Sequence, residues 1–249
     1  MTTEAHSGAP VLPAGIGVSH VRVYTSAAPD GLCGGTPHLH VTCTEMYVGL
    51  RGTGQAHFLT PDGPAVVDLA PGVAVQFTPG TIHRLVNGPD PLEILVIMEN
   101  GRLNEGGDVV FCFPERDLAD PDAYARWADI GDPDHPDAEA IVRRRDRAVE
   151  GLTHLMSAWH ADPRAGRDAL LNVYEHAVRI VGARARAWPG MIEAGPARIV
   201  QALERRTAAV LAADTSHLRA SRIQVLPALQ PGNLTPRMCG DLWSYNKPP

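Results

Sequence analysis

The segment PHLHVTCTEMYVGLRGTG holds the residues best suited to chemistry in this sequence. His38 and His40 are two apart, so on an extended strand both imidazoles leave the same face and can converge on one point. Four residues separate His40 from Glu45, enough for a tight connection that returns a carboxylate from the next strand to that point. In TPGTIH a Pro-Gly turn introduces His83, 38 residues after Glu45, on another β run. Three imidazole nitrogens and one carboxylate oxygen suit Mn, Fe, Co, Ni or Zn at roughly 2.0–2.2 Å. The expectation is one divalent metal ion on His38, His40, Glu45 and His83. A metal-free polar cluster is the competing reading. Turned into an apolar interior without a cation, these groups would cost several kcal/mol as unpaired polar and charged atoms.

Such convergence needs strands from separate parts of the chain, and residues 19–113 supply them. Short apolar and β-branched runs (VSHVRVY, TEMYVGL, GQAHFLT, AVVDL, VAVQF, HRLVN, LEILVIM) are broken by TPDGP, APG, TPGT and NGPDP at intervals of about ten residues. Many short strands with regular turn signals imply an all-β sandwich or barrel. Beyond Pro114 the apolar period shifts from two to about three and a half. Residues 137–161 place Ile141, Val142, Val149, Leu152, Leu155, Met156 and Trp159 on one helical stripe, with the arginines from Arg143 to Arg145 facing away. Residues 163–188 repeat the pattern and Pro189 ends it; residues 196–213 form a third helix. The tail from Ser216 carries one strand-like run, RIQVLPAL, and could return to add an edge strand to the barrel.

The residues around the candidate ligands resemble the cupin superfamily. The pattern G-x5-H-x-H-x(3,4)-E-x6-G is matched by His38, His40, Glu45 and Gly52, with Leu32 in place of the leading glycine. The pattern G-x5-P-x-G-x2-H-x3-N is matched by Gly80, His83 and Asn87, with Gly72 for the leading glycine and the proline shifted to Pro79. The resemblance spans residues 30–100 and implies an all-β cupin (jelly-roll) barrel over residues 18–115; the change of apolar period, not the resemblance, places an α-helical C-terminal region over residues 116–249. The string from His38 through Glu45, Tyr47, Val48, Leu50, Gly52 and Gly54, with His83, Arg84, Val86 and Asn87 later, is similar to the cupin-type glucose-6-phosphate isomerases of archaea. That likeness implies a metal-dependent enzyme acting on a small polar organic substrate, as a sugar-like isomerase or epimerase. Tyr47, Gln55 or His57 would then handle protons while the ion polarises a carbonyl or hydroxyl. No phosphate-binding cluster is evident in the barrel, and the helical half has no counterpart in that family. A cupin dioxygenase using the same four ligands, and a non-enzymatic small-molecule sensor, are the alternatives.

Tyr47 lies two residues after Glu45 and is expected on the same inner face, as a substrate contact or as core filling. Arg51 and Arg84 are expected on outer faces or loops, and Asn87 to brace the turn after His83. His154, His160 and His176 fall on polar helix faces, and the arginines of residues 143–147 read as a solvated helix face. Cys33, Cys43, Cys112 and Cys239 form no C-x-x-C pair and are expected as reduced thiols. Because Cys33 and Cys43 flank the histidine pair, a mixed Cys/His zinc site stands beside that reading.

Composition bounds the function classes. With 44% hydrophobic and 20% charged residues the chain can bury a sizeable core. A formal net charge of -6 argues against nucleic acid or an anionic membrane as partner and leaves a small-molecule substrate. The N-terminal MTTEAHSGAPVLPAG lacks a basic start followed by an apolar run, so a cytoplasmic location is expected. Exposed sheet edges and amphipathic helices favour self-association, making a homodimer the expected state.

Overall fold

The computed structural model describes residues 12–99, 107–132, 135–221, 223–226 and 234–246. Nine strands come first: β1 (Gly17–Val23), β2 (His38–His40), β3 (Glu45–Arg51), β4 (Gly54–Thr60), β5 (Gly63–Leu69), β6 (Ala74–Phe77), β7 (Ile82–Asn87), β8 (Glu93–Met98) and β9 (Val109–Phe111). Helices follow: α1 (Glu115–Leu118), α2 (Pro121–Ala128), α3 (Ala138–Ala161), α4 (Pro163–Ala185), α5 (Trp188–Ile192), α6 (Arg198–Leu211) and α7 (Ser216–Arg219). Two strands, β10 (Thr235–Pro236) and β11 (Gly240–Ser244), complete the order. The all-β jelly-roll barrel followed by helices, expected from the sequence, is the fold that forms.

The strands make two antiparallel sheets, ordered β10-β11-β1-β8-β3-β6 and β5-β4-β7-β2-β9. Their facing sides form the barrel interior, and register decides which side chains enter it. His38 lies opposite both His83 and Phe111, and Phe58 opposite His83, so these four side chains share one face. In β3 the burial alternates, with Glu45 and Tyr47 buried and Met46 and Val48 partly exposed. The interior therefore receives three imidazoles from one sheet and a carboxyl from the other.

The outer face of the five-stranded sheet is covered as well. Leu39, Ile82 and Val110 point away from the barrel interior yet are buried, in one apolar cluster with Leu155, Trp159, Leu170 and Val173 of the helices. Helix α3 starts at its cap Asp137, whose side chain accepts from the Glu139 amide; Asp162 caps α4 in the same way through the Arg164 amide. Gly151 lets α3 approach the barrel: a Cβ there would lie 2.1 Å from the Cys112 carbonyl oxygen and 2.5 Å from the Phe113 carbonyl carbon. Strand β11 pairs antiparallel with β1, so the tail returns to the six-stranded sheet.

Several local readings are corrected. Within RIQVLPAL, residues 223–226 form no strand, and residues 222 and 227–229 lie outside the described residues; the returning strand is Gly240–Ser244. Pro189 does not end the second long helix, which stops at Ala185; it occupies the first turn of α5, where its missing N–H is harmless. On α3 the buried stripe runs through Ala140, Ile141, Arg144, Arg145, Ala148 and Val149, while Val142 is exposed. The arginines of residues 143–147 are therefore not a solvated face: Arg144 and Arg145 are 4% and 2% exposed. Arg84 does lie on the outer face of its sheet, but Asp30 and the carbonyls of Leu32 and Gly35 cover and bind it. Arg51 is exposed, and Asn87 bridges the Val23 and Tyr24 carbonyls to the Leu92 amide, bracing the turn after β7.

Two glycine substitutions test this packing. Gly151→Ala should destabilise by about 1–3 kcal/mol, because backbone atoms of residues 112–113 must move. Gly182→Ala, on an exposed part of α4 with nothing within 4 Å, should instead stabilise by about 0.5–1 kcal/mol. Urea denaturation of both variants checks the opposite signs.

Candidate metal centre

His38 and His83 are oriented by one local device used twice. Each Nδ1 lies beside the backbone carbonyl two residues earlier, Thr36 for His38 at 2.7 Å and Thr81 for His83 at 2.9 Å. A carbonyl oxygen only accepts, so each Nδ1 must carry the proton and each Nε2 presents a bare lone pair. Those two Nε2 atoms face each other at 3.0 Å. Two lone pairs at that distance repel unless a proton or a cation lies between them. Burial, with the neighbouring imidazoles, lowers the pKa of His38 to about 3 and that of His83 well below its ordinary value, so a proton is a poor solution.

His40 is held differently. Its Nδ1 donates to Asp108 Oδ1 at 2.8 Å, and Thr42 Oγ1 donates to the other Asp108 oxygen at 3.1 Å. This aims His40 Nε2 at Glu45 Oε2, 3.6 Å away, and the same oxygen lies 3.3 Å from His83 Nε2. Burial disfavours charge on His40, but Asp108 and Glu45 outweigh it and raise the pKa. Glu45 Oε2 is buried without a hydrogen-bond partner. Burial is also the main reason the Glu45 pKa rises to about 7, with His40 opposing and Asp108 assisting the shift.

His38, His40 and His83 form a buried cluster that could hold a metal ion, and Glu45 supplies an oxygen at its edge. The donor set fits a divalent transition ion: three bare nitrogens and an orphaned carboxylate oxygen meet, and a cation would satisfy all four together. The cysteines are not part of the cluster, which among the described residues consists of histidines alone, and no disulfide links them.

Of the three residues assigned to proton transfer, the structure brings one to the histidines. Tyr47 is fully buried beside them, its ring 6.1 Å from His83 and 5.0 Å from Phe77. Its hydroxyl lies beside Glu45 and Cys239 but makes no well-aligned hydrogen bond among the described residues, and burial followed by the Glu45 charge pushes its pKa well up. Gln55 and His57 are corrected. In β4 the inward positions are Ala56 and Phe58, so Gln55 and His57 stand on the opposite face, where His57 lies opposite Arg84. There His57 Nε2 meets Gln55 Oε1 at 3.0 Å and Gln55 donates to Asp68 at 2.9 Å. Asp108 escaped the sequence reading because it lies 68 residues from His40, with no motif to connect them. The repeated Thr-x-His of residues 36–38 and 81–83 was a readable signal for the orienting carbonyls. His154 and His160 are exposed and His176 is half-buried, all remote from the cluster in sequence and on the helices.

No known protein-family model matches the chain, and no curated protein sequence does. Solved structures resemble it over about a third of its length. A conserved double-stranded β-helix protein of Klebsiella pneumoniae is 22% identical over 34% of this chain and 66% of its own (TM-score 0.26). A cupin protein of Bacteroides fragilis is 20% identical over 33% of this chain and 62% of its own (TM-score 0.25). A TDP-fucose-3,4-ketoisomerase of Campylobacter jejuni is 9% identical over 36% of this chain and 64% of its own (TM-score 0.31). In each case the chain spans less than two thirds of the other protein's length.

The raised Glu45 pKa has a signed consequence in protein stripped of metal. A carboxyl whose folded pKa, about 7, exceeds its ordinary 4.5 favours the folded state at low pH, and that contribution is lost as pH rises through 7. Glu45→Gln removes the loss. The metal-stripped variant should match wild type near pH 4.5 and exceed its stability by roughly 2–4 kcal/mol at pH 8. Urea denaturation in the presence of chelator at both pH values measures the difference.

Proposed function

We propose that this cupin-fold barrel holds one divalent transition-metal ion on His38, His40, Glu45 and His83 and acts as a metal-dependent enzyme on a small polar organic molecule. The observation that carries the reading is the pair of bare Nε2 atoms of His38 and His83 facing each other at 3.0 Å beside the unpartnered Glu45 oxygen. When bound, the ion would supply Lewis acidity toward a carbonyl or hydroxyl of the substrate. The chain's own residues do the rest. The Thr36 and Thr81 carbonyls and Asp108 hold the three imidazoles in the tautomer that leaves Nε2 bare. Tyr47, with its hydroxyl beside Glu45 and Cys239 inside the barrel, is the remaining group placed to hold or pass a proton near the substrate.

An isomerase or epimerase keeps its support from the motif resemblance and from Tyr47, and loses the two other proton carriers first assigned to it. A second reading, a dioxygenase, is favoured by a specific observation: the interior beside the histidines is lined by Phe58, Phe77 and Phe111, an apolar wall that suits a dry, oxygen-using centre better than sugar hydroxyls. Turnover that survives strict anaerobiosis favours the isomerase; turnover that requires oxygen and consumes it favours the second reading.

Metal analysis tests the common premise. Protein purified without chelators should carry one ion per chain, and His83→Ala or His40→Ala should lose it while the fold survives by circular dichroism. Asp108→Ala should keep the site and weaken metal affinity by about 10–100-fold. His57→Ala should leave metal content and turnover unchanged, since that side chain faces away from the barrel interior. Unaltered metal content in the His83 variant would overturn the site.

A further inference from the structure

Among Arg84, Arg144, Arg145 and Arg147, all buried or part-buried, three come with carboxylates and one does not. Arg84 is bound by Asp30, Arg145 by Asp146 at 2.8 Å, and Arg147 by Asp117 at 2.6 Å. Arg144, only 4% exposed, has no carboxylate within ion-pair distance among the described residues. Its Nε has no hydrogen-bond partner. Its Nη2 reaches the Arg237 carbonyl at 3.4 Å, and that carbonyl already accepts from the Tyr24 hydroxyl at 2.7 Å. Burial lowers the Arg144 pKa to about 10, which leaves it cationic at neutral pH. A buried guanidinium without a counter-charge is costly, and its surroundings add a second cation, Arg237, close enough to oppose it.

The position of this charge gives it a direction. Arg144 lies over the ring of Phe111, 4.6 Å from guanidinium carbon to centroid. Phe111 stands on the edge strand β9, directly opposite His38 and on its face of the sheet. The Arg144 charge is felt at His38 and at Cys239, the thiol that neighbours Tyr47 and Glu45. The cation contributed by α3 thus lies against the edge strand β9, over a ring that stands opposite His38.

We propose that Arg144 is the anion-recognition residue of this centre, holding the carboxylate of a small organic acid whose other end reaches the metal. The proposal rests on reading the barrel as a metal site. A carboxylate fits because its single charge matches one guanidinium, its plane matches the fork, and the Phe111 ring offers a flat floor. The helical half thereby gains a chemical role, supplying a cation that the barrel strands do not spare: Arg84 is committed to Asp30 on the outer face, Arg22 pairs with Glu93, and Arg51 is exposed.

The test is calorimetric titration of lactate and of its neutral counterpart lactamide into wild type, Arg144→Met and Arg144→Lys, metal-loaded and chelator-stripped, with metal counted per chain. Wild type should prefer lactate. Arg144→Met should bind lactate roughly tenfold to a hundredfold more weakly, with lactamide binding and metal content unchanged. Arg144→Lys, which keeps the charge and loses the fork, should fall between. Equal lactate affinity in wild type and Arg144→Met overturns the proposal, as does a wild type that does not distinguish the two probes. If Arg144→Met does not fold, a lactate affinity in Arg144→Lys equal to wild type overturns it. A wild type that binds no metal sinks the metal reading separately, and the lactate preference of the stripped protein still decides the role of Arg144.

Discussion

Three imidazoles and a carboxyl meet inside the barrel, and the repulsion among their unshared lone pairs is the constraint that the rest of the structure answers to. Removed from water, the Nε2 atoms of His38 and His83 face each other, and Glu45 Oε2 makes no well-aligned hydrogen bond among the described residues. The arrangement is also expensive to set up. Two backbone carbonyls and Asp108 are committed to fixing tautomers, and the six-stranded sheet turns a carboxyl inward where an apolar residue would pack more simply. Such a conflict between local stability and local geometry is what a binding site for a cation looks like before the cation is counted.

The surrounding elements are arranged to hold that conflict in place. Register ties His38 to His83 across neighbouring strands, so their convergence does not depend on loop conformation. The helices cover the back of the same sheet, burying Leu39 and Val110 on the reverse side of strands that carry the histidines or pair with them. The segment from Asp30 to Gly35, which leads into Thr36 and His38, is pinned by Arg84 through its carboxylate and two carbonyls. Rigid strands, a filled outer layer and a tethered approach segment all reduce the freedom of the imidazoles, as a preformed metal site requires.

The meeting of His38, His40 and His83 was legible because strand parity and short-range spacing are local: His-x-His fixes one face, and the Pro-Gly turn before His83 marks a new strand. Helix starts were legible for the same reason, since Asp137 and Asp162 cap where they stand. What failed depended on partners distant in sequence. Nothing in GQAHFLT says whether Ala56 or His57 faces inward until the register with β7 places Phe58 opposite His83. A run of arginines on a helix reads as solvated until Asp117, Ser26 and Phe111 are brought against it from elsewhere. The tail strand was misplaced because RIQVLPAL has the stronger β composition, whereas GDLWS is strand by pairing with β1.

The proposed metal centre is most directly tested by anomalous diffraction from crystals of protein purified without chelators, collected on either side of the absorption edge of the metal found. One anomalous peak per chain is expected, at roughly 2.0–2.2 Å from the Nε2 atoms of His38, His40 and His83 and from a Glu45 oxygen. A map with no peak there, and His38 and His83 still in contact across a shared proton, would contradict it.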